Sequence, residues 1–272
     1  MNTSELKKFS NIATESLYKA GKVLLNPAIQ DQTGKNKGDG EIGVQGDVQA
    51  ERLLITDIQK NYPDFLINSE EKGIVQHSST HAPTYTVFID PLDGSANYDQ
   101  YNPCWGTMLA LFEETEPVFA ALYIPLTNNL VWAAKNLGFW KNNKIISLQP
   151  DTRPLTETTL YLEKGKLVPN SLQTLSTFMK NHSAQFRSVR MLGSIAVASH
   201  DTLQTGRAAS AALIAIGCKI TDLAPTAALL QLANKSVVDS TNGKAWKLGN
   251  SGYIAGNTNT VAQLYTLLNT ES

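Results

Sequence analysis

Cysteine is nearly absent: Cys104 and Cys218 are the only two among 272 residues. Two thiols cannot staple a disulfide scaffold or build a cysteine-rich zinc centre. Neither sign of charge dominates, and the formal net charge of -1 argues against a broadly cationic nucleic-acid surface. No apolar run is long enough to span a bilayer. Met1-Asn2-Thr3-Ser4-Glu5 has no basic segment leading into an apolar one, so no signal peptide is expected. Internal repeats and low-complexity tracts are missing too. What remains is ordinary soluble composition, 42% hydrophobic and 17% charged, long enough for one large core or two closely joined halves. A reducing cytoplasm is the expected compartment.

The most informative stretch present is Asp90-Pro91-Leu92-Asp93-Gly94-Ser95, directly after the apolar run Thr86-Val87-Phe88-Ile89. That run reads as a short buried strand, and Pro91, without an amide hydrogen, is expected to end its ladder. Two carboxylates then sit at a strand end, where they repel unless a cation lies between them, and hard divalent cations favour oxygen ligands. Gly94 beside a hydroxyl lets backbone amides approach an anion. The competing reading is a solvated turn, since Asp, Pro and Gly are ordinary turn residues. Asn68-Ser69-Glu70-Glu71 ends a second apolar run, Phe65-Leu66-Ile67. Strand ends of one sheet can point at one crevice, although paired glutamates are usually just solvated. Far downstream, Asp222 is placed to N-cap an apolar helix reaching about Ala233, with Pro225 at or near its first turn.

Periodicity predicts a first helix through Leu6, Phe9, Ile12, Ala13, Leu17, Ala20, Val23 and Leu24, capped by Thr3 or Ser4. The polar, glycine-rich stretch from Asn26 to Gly46 is expected to lack regular structure and to be mobile, with Asp47 then capping a second helix whose apolar side holds Val48, Leu54, Ile55 and Ile58. Strands are predicted near 105–112, 118–124 and 130–134, with Glu113-Glu114-Thr115-Glu116 as a solvated hairpin tip. The second half alternates: a helix over 170–181 with Leu172, Leu175, Phe178 and Met179 inward, a strand at 186–191, a helix at 194–203 and a strand at 207–216. The Asp222 helix, strands at 237–239 and 253–255, and a last helix through Val261, Leu264 and Leu267 follow. Such alternation indicates an α/β fold.

Ser-Glu-Glu, then Asp-Pro-Leu-Asp-Gly-Ser, then a late Asp opening a helix resembles the inositol monophosphatase and fructose-1,6-bisphosphatase superfamily. Gly46-Asp47 with Glu51-Arg52-Leu53-Leu54 and Tyr62-Pro63 is similar to the family's second helix, and Arg190-Met191-Leu192-Gly193-Ser194 to its substrate-side turn. The resemblance implies a layered αβαβα sandwich, with an α+β half over 1–145 carrying the metal motifs and an α/β half over 146–272 completing the site. It implies a Mg²⁺-dependent phosphomonoesterase that uses metal-activated water and two or three ions. Glu70, Asp90, the Leu92 carbonyl, Asp93 and Asp222 are the implied metal ligands, with Asp90 shared. Ser95 and Glu70 would position water, Asp47 would support a third ion, and Asp93, Gly94, Ser95, Gly193 and Ser194 would face the substrate. Closure of the 31–46 loop would exclude water. A cytoplasmic homodimer, sensitive to lithium and without nucleic-acid or membrane partners, is also implied.

Departures from the family pattern concern substrate. Thr221 stands where tryptophan is usual, Ala215 falls where a glutamate contacts inositol, and Leu232-Ala233-Asn234-Lys235 replaces Glu-Ala-Gly-Gly. Ser95 replaces threonine, as in fructose bisphosphatases. The expected substrate is inositol monophosphate or a related polyol or sugar phosphate. Fructose 1,6-bisphosphate and 3′(2′),5′-bisphosphate nucleotides are alternatives, with Lys164, Lys166, Arg187, Arg190, Lys219 and Lys244 as candidates for a second phosphate. A non-catalytic regulatory protein on the same fold is the alternative of another class. Other matches carry less. The Gly38-Asp39-Gly40-Glu41-Ile42-Gly43 string follows no predicted strand, and consecutive Ser199, His200 and Asp201 on a helix point in different directions. His77 and His81 lie in a Ser/Thr/Pro-rich connection, His182 at a helix end, and the four tryptophans read as core or edge residues.

Overall fold

The computed structural model describes residues 1–30, 35–36, 42–43, 45–75, 83–149, 152–204 and 210–270. Gly34, Gly38 and Gly40 with most of the 31–46 loop, and also His77, His81 and Arg207, lie outside these residues.

Helix α1 (Thr3–Leu24) starts one residue earlier than expected. Asn2 is its N-cap: the Asn2 side chain accepts from the Glu5 amide, and Glu5 accepts from the Asn2 amide. This reciprocal pair satisfies two amides at once and outcompetes Thr3 or Ser4. Its stripe of Leu6, Phe9, Ala13, Leu17, Ala20 and Leu24 is fully buried or nearly so. The 26–46 stretch, expected to lack regular structure, holds a short α2 (Pro27–Gln30) and the antiparallel pair β1 (Lys35–Asn36) and β2 (Ile42–Gly43). Helix α3 (Gln45–Asn61) begins ahead of Asp47, which lies in the first turn rather than at the cap. Val48 faces outward, because the buried face runs through Asp47, Ala50, Leu54 and Ile58.

Next come β3 (Leu66–Ser69), β4 (Gly73–Val75), β5 (Tyr85–Asp93), α4 (Ser95–Asp99), β6 (Gly106–Glu113), β7 (Glu116–Ile124), β8 (Asn129–Ala134), β9 (Gly138–Lys141) and β10 (Lys144–Ile146). The chain continues through β11 (Thr159–Lys164), α5 (Ser171–His182), β12 (Ser188–Arg190), α6 (Ile195–Thr202), β13 (Ala211–Ile216), α7 (Ile220–Leu232), β14 (Ser236–Asp239), β15 (Gly252–Gly256) and α8 (Thr258–Asn269). Strand β11 has no counterpart in the sequence reading, and Leu172 on α5 points to solvent while Leu175 and Phe178 are buried.

An eight-stranded sheet has the order β10-β9-β8-β7-β6-β5-β3-β4, antiparallel except for the parallel β3–β5 pair. A five-stranded sheet has the order β12-β11-β13-β15-β14, parallel across β12-β11-β13 and antiparallel beyond. Helices α1 and α3 cover one face of the large sheet. Helices α6 and α7 lie between the two sheets, and α5 and α8 cover the far face of the small one. The chain is thus a layered αβαβα sandwich. The middle layer explains the composition of α7. Leu223, Ala224, Ala227, Ala228, Leu229 and Leu230 are at most 1% exposed, so this helix is apolar all round. A helix covered on both sides needs no polar face, and its alanines admit close approach of two sheets.

Candidate active site

Strand β5 does not stop at Pro91. It runs on to Asp93, with a register shift in its ladder to β6: Asp90 lies opposite Met108 and Asp93 opposite Gly106. Three steps on one strand against two on the other make a β-bulge, which accommodates the missing proline amide and re-aims the side chains beside it. The Leu92 amide, inside the bulge, donates to Asp90 Oδ1 at 3.0 Å. Gly94 then turns the chain at φ 82°, and a Cβ there would lie 2.7 Å from the Cys104 carbonyl. Only glycine combines that backbone with that approach. Ser95 opens α4 directly afterwards.

Glu70 reaches the same place from the parallel neighbour, its amide bonded to Ile89 O at 3.1 Å. Its turn is held from below by Glu51, a buried acid on α3 whose Oε1 accepts from Ser69 Oγ, Glu71 N and Lys72 N at 2.6, 3.2 and 3.0 Å. Asp222 arrives from the first turn of α7. Lys219 precedes the helix, and Asp222 reaches back to accept its amide at 3.0 Å. Asp222 is therefore the third helical residue rather than the N-cap, and Pro225 lies inside the helix. Glu70, Asp90 and Asp222 each present an oxygen, and these oxygens lie within 4.8 Å of one another. The Lys219 ammonium donates to Glu70 Oε1 at 3.1 Å.

The electrostatics follow from burial and like charge. Asp90, 1% exposed, is pushed well above the usual carboxylate range by burial and then by the charges of Glu70, Asp93 and Asp222. Asp222 is raised for the same reasons, and the Lys219 amide and ammonium partly oppose the shift. Asp93 reaches only about 6, because hydrogen bonds from Ser194, Ala196 and Ile195 offset much of its burial. Among the described residues, the single positive charge of Lys219 is the cation paired with these three close carboxylates, and it only partly offsets them. Every donor in the cluster is a hard oxygen. The set suits Mg²⁺ or a similar hard divalent ion and does not suit a thiophilic metal.

Asp93 is tied to the other half of the sandwich. Its Oδ2 accepts from the Ser194 hydroxyl and from the Ala196 amide at 2.8 Å, so it caps α6. Gly193 is exposed at this turn and Ser194 is buried, and Asn97 Nδ2 clamps the turn by donating to Leu192 O and Cys104 O at 2.8 and 2.7 Å. Asp47 is buried on α3, outside the Glu70-Asp90-Asp222 cluster. The sequence reading missed Asn97, the structural use of Glu51, and Glu163. Glu163 is buried on β11, accepts the Leu192 amide at 3.0 Å, and is pushed up to about 7 by burial. Ala215, fully buried, lies directly across the ladder from Glu163. Ser199, His200 and Asp201 form no relay: His200 Nδ1 lies 3.3 Å from Asp201, whereas Ser199 faces Tyr253. Arg187 and Arg190 line a separate cavity of about 510 Å³ with Thr159 and Tyr161, toward the start of β11.

Known proteins share this architecture. The inositol monophosphatase family model matches residues 5–271. A fructose-1,6-bisphosphatase/inositol-1-monophosphatase of Aquifex aeolicus is 31% identical over 146 residues, covering 53% of this chain and 54% of that protein's length. The crystal structure of the extragenic suppressor protein suhB from Bartonella henselae has a TM-score of 0.85 at 21% identity, covering 97% of this chain and all of that one. An IMPase/NADP phosphatase complexed with Mg²⁺ and phosphate has a TM-score of 0.78 at 19% identity, covering 98% and 97% of the two chains. Likeness at these identities speaks for the fold, and the family match over nearly the whole chain speaks for descent. The chain belongs to the inositol monophosphatase family.

Proposed function

We propose that this chain is a Mg²⁺-dependent phosphomonoesterase that hydrolyses inositol monophosphate among several small polyol or sugar phosphates. The observation that carries the reading is the convergence of Glu70, Asp90 and Asp222 within 4.8 Å from the turn after β3, from β5 and from α7. Asp93 and the Gly94-Ser95 turn lie beside them in sequence and fold. Glu70, Asp90, Asp93, Asp222 and the Leu92 carbonyl would hold two ions, with Asp47 supporting a third. An ion held there would supply activation of water and neutralisation of charge on the phosphate and the leaving oxygen. The chain's own groups orient the reaction. Ser95 and Glu70 position the attacking water, and the Gly94 and Ser95 amides hold the phosphate. Gly193 and Ser194 border the alcohol side, their turn fixed by Asn97 and Asp93.

Selectivity is expected to be weak. A site rejects poor substrates when its own polar groups would be left unpaired, and Ala215 has none to leave. The test is phosphate release from a panel holding inositol 1-phosphate, a simple polyol phosphate, fructose 1,6-bisphosphate and a 3′,5′-bisphosphate nucleotide, with Mg²⁺ and with EDTA. Activity that depends on Mg²⁺, spread over several monoesters, supports the proposal. Full activity in EDTA would sink the metal mechanism. Selectivity for inositol 1-phosphate by several orders of magnitude would sink the argument from Ala215. No release from any ester would favour a non-catalytic protein.

A further inference from the structure

Lys219 touches two of the three clustered carboxylates. Its amide donates to Asp222 Oδ2 at 3.0 Å, and its ammonium to Glu70 Oε1 at 3.1 Å. The contact with Glu70 spans 149 positions of sequence and joins the entrance of α7 to the end of β3. Among the described residues, no other cationic side chain lies within ion-pair distance of Glu70, Asp90 or Asp222. The Lys219 side chain is 36% exposed and Glu70 15%, so the ammonium sits at the solvent side of the pair. A flexible stem with a point charge can swing into water at little cost. A divalent ion held by Glu70 and this ammonium therefore compete for one carboxylate.

We propose that Lys219 is a built-in counter-cation that sets the affinity of the site for divalent ions. It holds Glu70 in the metal-free protein and yields that carboxylate as an ion loads. This deepens the phosphatase reading and rests on it for the identity of the site. Lysine is suited to the task because one positive charge offsets part of the cluster without matching a doubly charged ion. The ion can then displace the ammonium, while in the metal-free protein Lys219 offsets part of the like-charge repulsion around Glu70.

The experiment titrates Mn²⁺ into wild type, Lys219→Met and Lys219→Arg, following free Mn²⁺ by its electron paramagnetic resonance signal. Thermal unfolding of each protein in EDTA and in saturating Mg²⁺ accompanies it. Methionine keeps much of the stem and removes the competitor. Lys219→Met should bind Mn²⁺ about tenfold more tightly, the order expected for one unit charge at a partly solvated site. Lys219→Arg should stay near wild type. The methionine variant should melt below wild type in EDTA and lose that deficit in Mg²⁺. Equal or weaker Mn²⁺ binding by Lys219→Met would overturn the proposal and leave the phosphatase reading standing. A wild type that binds no Mn²⁺ would overturn both.

Discussion

Replacing Asp90 with asparagine removes one charge from the cluster and changes almost no volume. The Leu92 amide still has an oxygen to meet at Oδ1, now the asparagine carbonyl. The new amide group can donate to the Glu70 carboxylate, which lies in the same 4.8 Å cluster. At the 4.8 Å that bounds the cluster, and with an effective dielectric of about 20, one like-charge pair costs about 3 kcal/mol. Burial and like charge push the Asp90 carboxyl toward its neutral form, which relieves part of this cost. The metal-free variant should therefore be more stable than wild type by roughly 1–3 kcal/mol, which raises Tm by about 2–4 °C for each kcal/mol in a chain of this size. Saturating Mg²⁺ should reverse the order, because ligand at about 100 times Kd stabilises wild type by about 2.7 kcal/mol and the neutral variant forfeits much of that. Phosphate release should fall by roughly 100-fold or more, since even supporting residues of metal sites act on that scale. The assay is thermal unfolding at pH 8 in EDTA and in Mg²⁺, with phosphate release measured on the same samples. A variant less stable than wild type in EDTA would refute the reasoning, because Asp90 would then stabilise the fold instead of serving the site at its expense.

Two further outcomes are expected. Asp93 and Glu163 have folded pKa values raised to about 6 and about 7 by burial. The native state therefore holds protons that the unfolded chain releases near pH 4, and metal-free stability falls as pH rises through these values, by roughly 3 kcal/mol for each group. The urea midpoint in EDTA should drop from pH 5 to pH 8, and a rise across that window would contradict the assignment. Gly94→Ala should destabilise by roughly 2 kcal/mol or more, from the strained φ and the clash with the Cys104 carbonyl. Gly73→Ala, at φ 67° with nothing within 4 Å of the new Cβ, should cost less, and equal losses in urea unfolding would rule out the steric argument.

The parts of the site legible in the sequence are those where local chemistry and local structure coincide. A β-branched run before Asp90 announces a strand, and carboxylates at its end announce a charge problem that a cation solves. The same logic places Glu70 at the end of β3, and the structure brings both together with Asp222. The bulge was not legible, because proline statistics favour stopping a strand at Pro91 and only the facing strand β6 supplies the alternative. Asp222 also defeated local reading. A residue after Thr221 and before an apolar run looks like a cap, and only the geometry of Lys219 shows that the helix starts three residues earlier. Periodicity puts Val48 and Leu172 on the apolar side, yet both point to solvent, because periodicity gives a face and not its width. Contacts such as Lys219 to Glu70 depend on two sheets meeting, which no window of sequence contains.

Glu163 carries that argument to the question of substrate. Nothing in Leu162-Glu163-Lys164-Gly165 singles out its glutamate, yet the small sheet buries it against the turn before α6. Its register partner on β13 is Ala215, where the family pattern has the carboxylate that meets inositol. The acid in this chain thus stands one strand away from the expected position. It is already engaged, since Glu163 takes the Leu192 amide and draws on those of Gly193 and Ser194. The same turn presents Ser194 to Asp93, so Glu163 helps fix the wall beside the candidate metal site. A site that keeps the carboxylate cluster but has alanine at position 215 would exchange a substrate contact for a structural one and demand less of the alcohol. A broad phosphomonoesterase is what that exchange would produce.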